Sequence, residues 1–399
     1  MEILIILFIY CALTALGAYL TELCLRRWGK TAARSACARR FWIPAYILLS
    51  LIPPAGAFLP DGGARYRAMA AGNVYLGFFV YFGGLLLILC SLAGLYERLS
   101  RRRCGKRLYG RILCLSMAAS LAVNVYGLVH AQRPVIVRYE CAVDKPCEGL
   151  EELKLVLISD LHLSVNSHIE TTRRMVEMIN EEVPDVVAVA GDIFTSTYHG
   201  LAEPEAYAET LSGIRARYGV YAVYGNHDVE EPLIGGFGYW PAARVFRPAE
   251  MVEFMGACGF TMLEDETATL PGGIQLAGRI DKRKPGDGTG DRMTAAELLA
   301  DVPRDRPVIV MEHEPVEYRE LSLAGADVVF SGHTHNGQIF PGNLIAAMLD
   351  ENSWGHARLY GMDTFVTAGV GYYGPPLRVG TNSEITVIHF TFGGGKAHD

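Results

Sequence analysis

Several things are scarce in this sequence. Its nine cysteines show no zinc-finger spacing, so a structural zinc module is not written into them. It lacks an overall basic balance: the formal net charge is −7, so a nucleic-acid footprint is absent and no nucleic-acid partner is expected. No internal repeat is evident. Charge is almost missing from four long stretches, Glu2–Leu25, Phe41–Leu59, Val74–Tyr96 and Ile112–His130. Each can cross a hydrocarbon core as a helix, which takes about 20 apolar residues. The mean hydropathy of +0.19 agrees, being high for a soluble enzyme of 399 residues.

These four runs predict a multi-pass membrane anchor over residues 1–131, with the lipid bilayer as its partner. A cleaved signal peptide is a poor account of the first run: no basic segment precedes it and three more runs follow. Within the spans there is no buried charge pair or ion path, which argues against transport. Lys and Arg gather in the first loop (Arg26, Arg27, Lys30, Arg34, Arg39, Arg40) and the third (Arg98, Arg101, Arg102, Arg103, Lys106, Arg107, Arg111). The second loop has only Arg65 and Arg67, beside Asp61. Basic loops stay in the cytoplasm, so everything after His130 is expected outside it. Cys141 and Cys147 follow the last span; they could pair if that side is oxidising, or remain two free thiols.

From Leu150 the pattern changes to short apolar runs alternating with amphipathic stretches, which predicts an α/β domain over 150–399 joined by a linker, 132–149. Strands are expected at Lys154–Ser159, Val186–Ala190, Val220–Tyr224, Val308–Glu312 and Asp327–Ser331, with helices at Glu170–Glu182 and Pro204–Tyr218. The stretch Phe365–Phe392 reads as further strands, including Glu384–Thr391, in antiparallel order. Val229–Pro248, rich in Gly, Pro and aromatics, is a candidate cap on an active site. Its Phe237–Trp240 portion could meet an acyl chain or simply pack. Asp281–Asp291 reads as a solvated surface loop.

Each of those five strands runs into polar residues. They are Asp160-Leu161-His162, Gly191-Asp192, Gly225-Asn226-His227-Asp228, His313-Glu314 and Gly332-His333-Thr334-His335. Taken singly these are weak signals, since Asp caps helices and Gly-Asn makes turns. Their ordered recurrence is the signal, because sites in open α/β sheets form at the carboxyl ends of strands. Imidazole and carboxylate without thiolate suits Mn, Fe, Zn or Co. So many donors exceed the needs of one ion, and suit two divalent ions sharing a carboxylate about 3.5–4 Å apart.

The order of these motifs resembles the calcineurin-like metallophosphoesterases over about Leu153 to Phe392. Ser159–His162 and Gly332–Gln338 are similar to the bacterial membrane-associated branch, which includes enzymes resembling UDP-2,3-diacylglucosamine pyrophosphatase. Asn336 stands where that branch has Gly. The resemblance implies a four-layer αββα sandwich of two mixed sheets behind the four-helix transmembrane module. It implies one metal on Asp160, His162, Asp192 and His335, and a second on Asp192, Asn226, His313 and His333, with a bridging hydroxide as nucleophile. His227 is then a general acid or hydrogen-bond donor at the leaving oxygen, and Asp228 orients it. The expected activity is hydrolysis of a phosphomonoester, phosphodiester or pyrophosphate in a small-molecule, cell-envelope or lipid-linked substrate. The alternative is a membrane sensor or scaffold with a metal-filled, inactive domain.

Overall fold

The computed structural model describes residues 2–28, 32–60, 62–234, 237–238, 245–286 and 291–393. They fall into two compact units. One holds Met1–Val129 with the short segments Leu233–Pro241 and Gly374–Leu377; the other holds His130–Pro232, Ala242–Tyr373 and Arg378–Asp399.

The first unit is helical: α1 (Glu2–Trp28), α2 (Ala32–Ser50), α3 (Ile52–Ala55), α4 (Gly63–Ser100) and α5 (Lys106–Ala131). Four stretches are long and apolar enough to cross a membrane: Leu7–Trp28, Arg39–Phe58, Gly63–Ser100 and Lys106–Ala131. Apolar residues fill the interior of these helices, as at Phe82 and Leu86, and also cover their outside. Phe8, Leu48, Ile88, Leu92, Leu115 and Leu121 point outward, while Ser116, Ser120 and Asn124 are buried. Apolar surface facing outward is stable only where the surroundings are apolar too. Small residues allow close helix approach, as where Gly110 meets the Trp28 ring and Gly72 meets Pro53.

The second unit is mixed α/β. Its helices are α6 (Ile169–Glu181), α7 (Pro204–Ser212), α8 (Ala249–Ala257), α9 (Ala295–Leu298), α10 (Tyr318–Ala324) and α11 (Gly342–Leu349). Strands in chain order are β1 (Val135–Val143), β2 (Glu152–Ile158), β3 (Val186–Ala190), β4 (Val220–Val223), a hairpin of β5 (Leu233–Ile234) and β6 (Phe237–Gly238) that belongs to the helical unit, and β7 (Thr261–Met262). They continue as β8 (Glu266–Thr269), β9 (Gln275–Gly278), β10 (Val308–Met311), β11 (Val328–Ser331), β12 (Gly355–Leu359), β13 (Met362–Val366) and β14 (Glu384–Phe392). One six-stranded sheet has the order β1-β14-β2-β3-β4-β7 and the other β12-β13-β11-β10-β9-β8.

Alternation along the strands sets the layers. Leu155, Leu157 and Ala188 meet Ile309, Met311 and Phe330 from the facing sheet in one core. Val156, Ile158, Val187 and Val189 turn the other way, onto Ile179 of α6 and Met251 of α8. Beyond the second sheet, Val310 and Val329 pack on Leu298 of α9 and Leu321 of α10. The result is helix, sheet, sheet, helix. Because both faces of each sheet are covered, β3, β10 and β11 read as unbroken apolar runs, which is why the sequence places them well.

Three expectations change. The helix expected over Pro204–Tyr218 stops at Ser212, where Gly213 caps it. The C-terminal strand β14 is antiparallel to β2 but parallel to β1. The stretch 132–149 is not a linker: it contains β1, in register with β14 from Val135↔Glu384 to Val143↔Phe392. The tell-tale alternation is weak there, because Val135–Glu140 stays partly exposed at a sheet edge. Cys141 is buried in that strand, and Cys141 and Cys147 are both free thiols. A fragment starting at Leu150 therefore leaves the long β14 edge bare. It is expected to melt lower and aggregate in size-exclusion chromatography, whereas one starting at Gln132 stays monomeric.

Candidate active site

Three strands of one sheet and two of the other end at the same edge, and the polar residues follow those ends. Asp160 lies just past β2, Asp192 past β3, Asn226 past β4, His313 past β10, and His333 and His335 past β11. The backbone there is unusual. Asp160 (φ 53°), His162 (φ 46°), Asp192 (φ 53°), His333 (φ 70°) and His335 (φ 51°) all sit in the left-handed region. A non-glycine residue held there costs about 1–3 kcal/mol, a strain that tends to collect at functional sites. Gly225 is required for a different reason: a Cβ at that position would run into the Asp192 carboxylate.

Two groups of side chains converge. Asp160, His162 and His335 form one; Asp192, His313 and His333 form the other. In the first, the Nε2 atoms of His162 and His335 are 3.0 Å apart, and Asp160 Oδ1 lies 3.3 Å from His335 Nε2. In the second, Asp192 Oδ2 is 3.0 Å from His313 Nε2, and Asn226 Oδ1 lies 3.1 Å from His313 Nε2 and 2.9 Å from His333 Nδ1. Asp192 Oδ2 also lies 3.6 Å from His162 Nε2, so one carboxylate reaches both groups.

The second ring nitrogens of His313, His162 and His335 are held from behind. His313 Nδ1 is 2.7 Å from the Ala190 carbonyl, an acceptor only, so Nδ1 carries the proton and donates it there. His162 Nδ1 is 3.2 Å from Thr195 Oγ1. Behind His335, the buried Arg378 donates to the carbonyls of His335 (2.9 Å), Ala368 (2.7 Å), Gly369 (3.0 Å) and Gly371 (2.6 Å), fixing the loop after β13. Asn336 lies at φ 48°, ψ 40°, a conformation suited to Gly and, among the other residues, to Asn. The exchange at that position therefore leaves the turn between His335 and Gln338 intact.

Burial dominates the electrostatics of the site. Burial pushes the Asp160 carboxyl up to about 6. Burial also pushes His162 down to about 4 and His333 to about 3, leaving them neutral. Burial opposes a charge on His313 as well, yet the adjacent Asp192 and Asp160 carboxylates hold its imidazole well above the ordinary value. The donor set itself, with the His162 and His335 Nε2 atoms 3.0 Å apart and the Asp192 carboxylate 3.0 Å from His313 Nε2, fits two divalent cations of the Mn, Fe, Zn or Co type, whose binding would displace the proton from His313.

His227 and Asp228 are arranged differently from the sequence-based expectation. Asp228 is fully buried and accepts from the backbone N–H groups of Phe194 (2.9 Å) and Gly225 (2.7 Å), pinning the β3 and β4 turns together. It does not orient the His227 ring. Ser196 Oγ stands there instead, 2.8 Å from His227 Nδ1. Ser196 in turn donates to Glu231 Oε2 (3.0 Å), which also accepts from Lys284 Nζ (2.7 Å). With the hydroxyl proton spent on Glu231, the Ser196 oxygen accepts from Nδ1–H, leaving Nε2 for the site. Tyr373 stacks on the ring at 4.3 Å between centroids, and Gln338 Oε1 holds the Tyr373 N–H at 2.7 Å.

Ser196, Glu231, Lys284, Tyr373 and Arg378 were not legible as site residues, since none stands at a strand end. Lys284 and the buried Asp281 also correct the expectation of a solvated loop over Asp281–Asp291: its first half packs on the site, while 287–290 lies outside the described residues. Of the aromatic stretch Phe237–Trp240, Tyr239 and Trp240 lie outside them too.

Paired nitrogen and oxygen ligand groups on strand ends of a two-sheet sandwich define a metallophosphoesterase. The family model for calcineurin-like phosphoesterases matches residues 153–337. A protein of Danio rerio, "Transmembrane protein with metallophosphoesterase domain", is 30% identical over 406 residues, covering 96% of this chain and 88% of its own length. A Bos taurus protein of the same description is 29% identical, covering 76% and 70%. An "Uncharacterized metallophosphoesterase" of Helicobacter pylori is 29% identical, covering 60% of each. This chain belongs to the calcineurin-like metallophosphoesterases. It is a metal-dependent phosphoesterase and, with four apolar helices and relatives named as transmembrane proteins, a multi-pass membrane protein.

Proposed function

We propose that this enzyme hydrolyses a phosphoester or pyrophosphate bond of a lipid-linked or cell-envelope substrate on the outer side of the membrane. The observation that carries the chemistry is the sharing of Asp192 between two ligand groups. One group is Asp160, His162, Asp192 and His335, and the other Asp192, Asn226, His313 and His333. Two divalent cations bound there supply the Lewis acidity that neutralises phosphoryl oxygens and the acidification of water that makes a nucleophile at neutral pH. Around them the protein positions and excludes. Arg378 and Gln338 brace the His335 turn and Tyr373. The Tyr373 ring covers one face of His227. His227 Nε2 is the atom at which a proton passes to, or bonds with, the leaving oxygen, while Ser196 and Glu231 fix its ring. The outward placement rests on the Lys and Arg bias of the first and third loops.

Full-length protein in lipid nanodiscs, stripped with chelator and reloaded with Mn²⁺, tests the reading against bis-p-nitrophenyl phosphate and p-nitrophenyl phosphate. Metal-dependent turnover of either is expected, and extracts of lipids and nucleotide sugars then narrow the substrate. No turnover of either with two ions bound would overturn it. A C-terminal reporter active only in the cytoplasm would overturn the orientation.

A further inference from the structure

Helix α11 directly follows the His335 turn, and its side chains are unlike the rest of the domain surface. From Ile339 to Leu349 the chain carries no charge. No residue of α11 is buried. Leu344 is 54% exposed, Ile345 55%, Met348 85% and Leu349 78%. Single apolar residues on a surface are ordinary, but consecutive turns of them on one short helix mark an interaction site.

The surrounding hydrogen bonds point to an occupant. The Phe340 N–H donates to Val379 O (2.8 Å), and Thr381 Oγ1 donates to Gln338 O (2.9 Å), so the root of α11 is tied to the segment Val379–Thr381. Two residues on, Ser383 Oγ donates to the Ala131 carbonyl (2.7 Å), and the Val135 N–H donates to Ser383 O (2.9 Å). Ala131 is the last residue of the fourth candidate span. Four residues of chain, Val379 to Ser383, reach at most about 14 Å. The root of α11 is therefore held near the point where the chain leaves the hydrocarbon.

We propose that α11 is an interfacial helix, lying in the leaflet from which α5 emerges, with Leu344, Ile345, Met348 and Leu349 among the acyl chains. Binding at the headgroup boundary scales with the apolar area a helix can bury there, and Leu344, Ile345, Met348 and Leu349 offer that area next to a membrane exit. Trp354, three residues beyond the acidic pair Asp350-Glu351 that ends the helix and 42% exposed, fits the interfacial position that Trp favours. The occupant is thus the protein's own bilayer rather than a second copy of the chain.

The test uses full-length protein in vesicles of phosphatidylethanolamine and phosphatidylglycerol doped with a phosphatidylcholine bearing a diazirine on its acyl chain. After irradiation, mass spectrometry should place acyl adducts on Leu344–Leu349 as well as on the four spans. The quadruple variant L344S/I345S/M348S/L349S should lose at least tenfold of the α11 adducts. It should keep those on the spans, its metal content and its turnover of bis-p-nitrophenyl phosphate, which shows that it is folded. Adducts confined to the four spans overturn the proposal. So does a photo-crosslinking residue placed at position 348 that joins one copy of the chain to another in place of lipid.

Discussion

Asp192→Asn is expected to abolish metal-dependent hydrolysis while leaving the fold intact. One oxygen of Asp192 accepts the His227 backbone N–H at 2.8 Å, a bond that an amide oxygen can keep. The other faces His313 Nε2 at 3.0 Å and His162 Nε2 at 3.6 Å, and there Asn puts either a neutral oxygen or an NH₂ group. Burial opposes a charge at this position, yet His313 and His227 hold the Asp192 carboxyl well below its usual range. The charge is thus part of the ligand field of both groups, and its removal weakens both ions together. Lewis-acid stabilisation of the transition state is worth several kcal/mol, which corresponds to on the order of 10³-fold or more in rate. Metal analysis and aryl phosphodiester turnover, measured on the same sample as a thermal melt, check this. Near-normal turnover with both ions bound would refute the shared role of Asp192.

The sequence shows the ligands more clearly than their surroundings, and the reason is physical. Asp192, His313 and His333 each follow a fully buried strand, and Asp160 and Asn226 follow strands whose last residues are buried, so an apolar run announces each of them. Ser196 follows no such run; it reaches His227 only because the turns after β3 and β4 are brought together, partly by Asp228. Glu231 and Lys284 meet across a separation of 53 residues, and Arg378 reaches His335 across 43. Such pairings are set by tertiary folding and leave no periodic trace in the chain. The edge strand β1 was lost for a related reason: with one side and several residues partly exposed, it resembles a linker. The membrane helices were legible throughout because a bilayer demands long uncharged runs, although α4 extends over Gly63–Ser100, well beyond the apolar stretch Val74–Tyr96.

His227→Ala should separate proton handling from metal binding. The His227 ring belongs to neither ligand group, and the bond it lends to Asp192 comes from its backbone N–H, which alanine keeps. Both ions should therefore remain, while the rate falls by at least about 10²-fold, the usual scale for losing a positioned acid or base. The loss should depend on the leaving group. A p-nitrophenolate needs little help to depart, whereas an alkoxide needs a proton, so alkyl esters should suffer most. Ser196→Ala should show the same dependence in weaker form, because the imidazole stays but loses the acceptor that fixes its Nδ1–H. Both variants should change kcat more than KM, as expected for an interaction made in the transition state. A uniform loss across leaving groups would leave His227 as a substrate-binding residue, and a collapse of metal content would make it a ligand. Persistence of both ions with a steep leaving-group slope in His227→Ala assigns the proton to His227, and the same slope in Ser196→Ala places the Ser196–Glu231–Lys284 chain behind it.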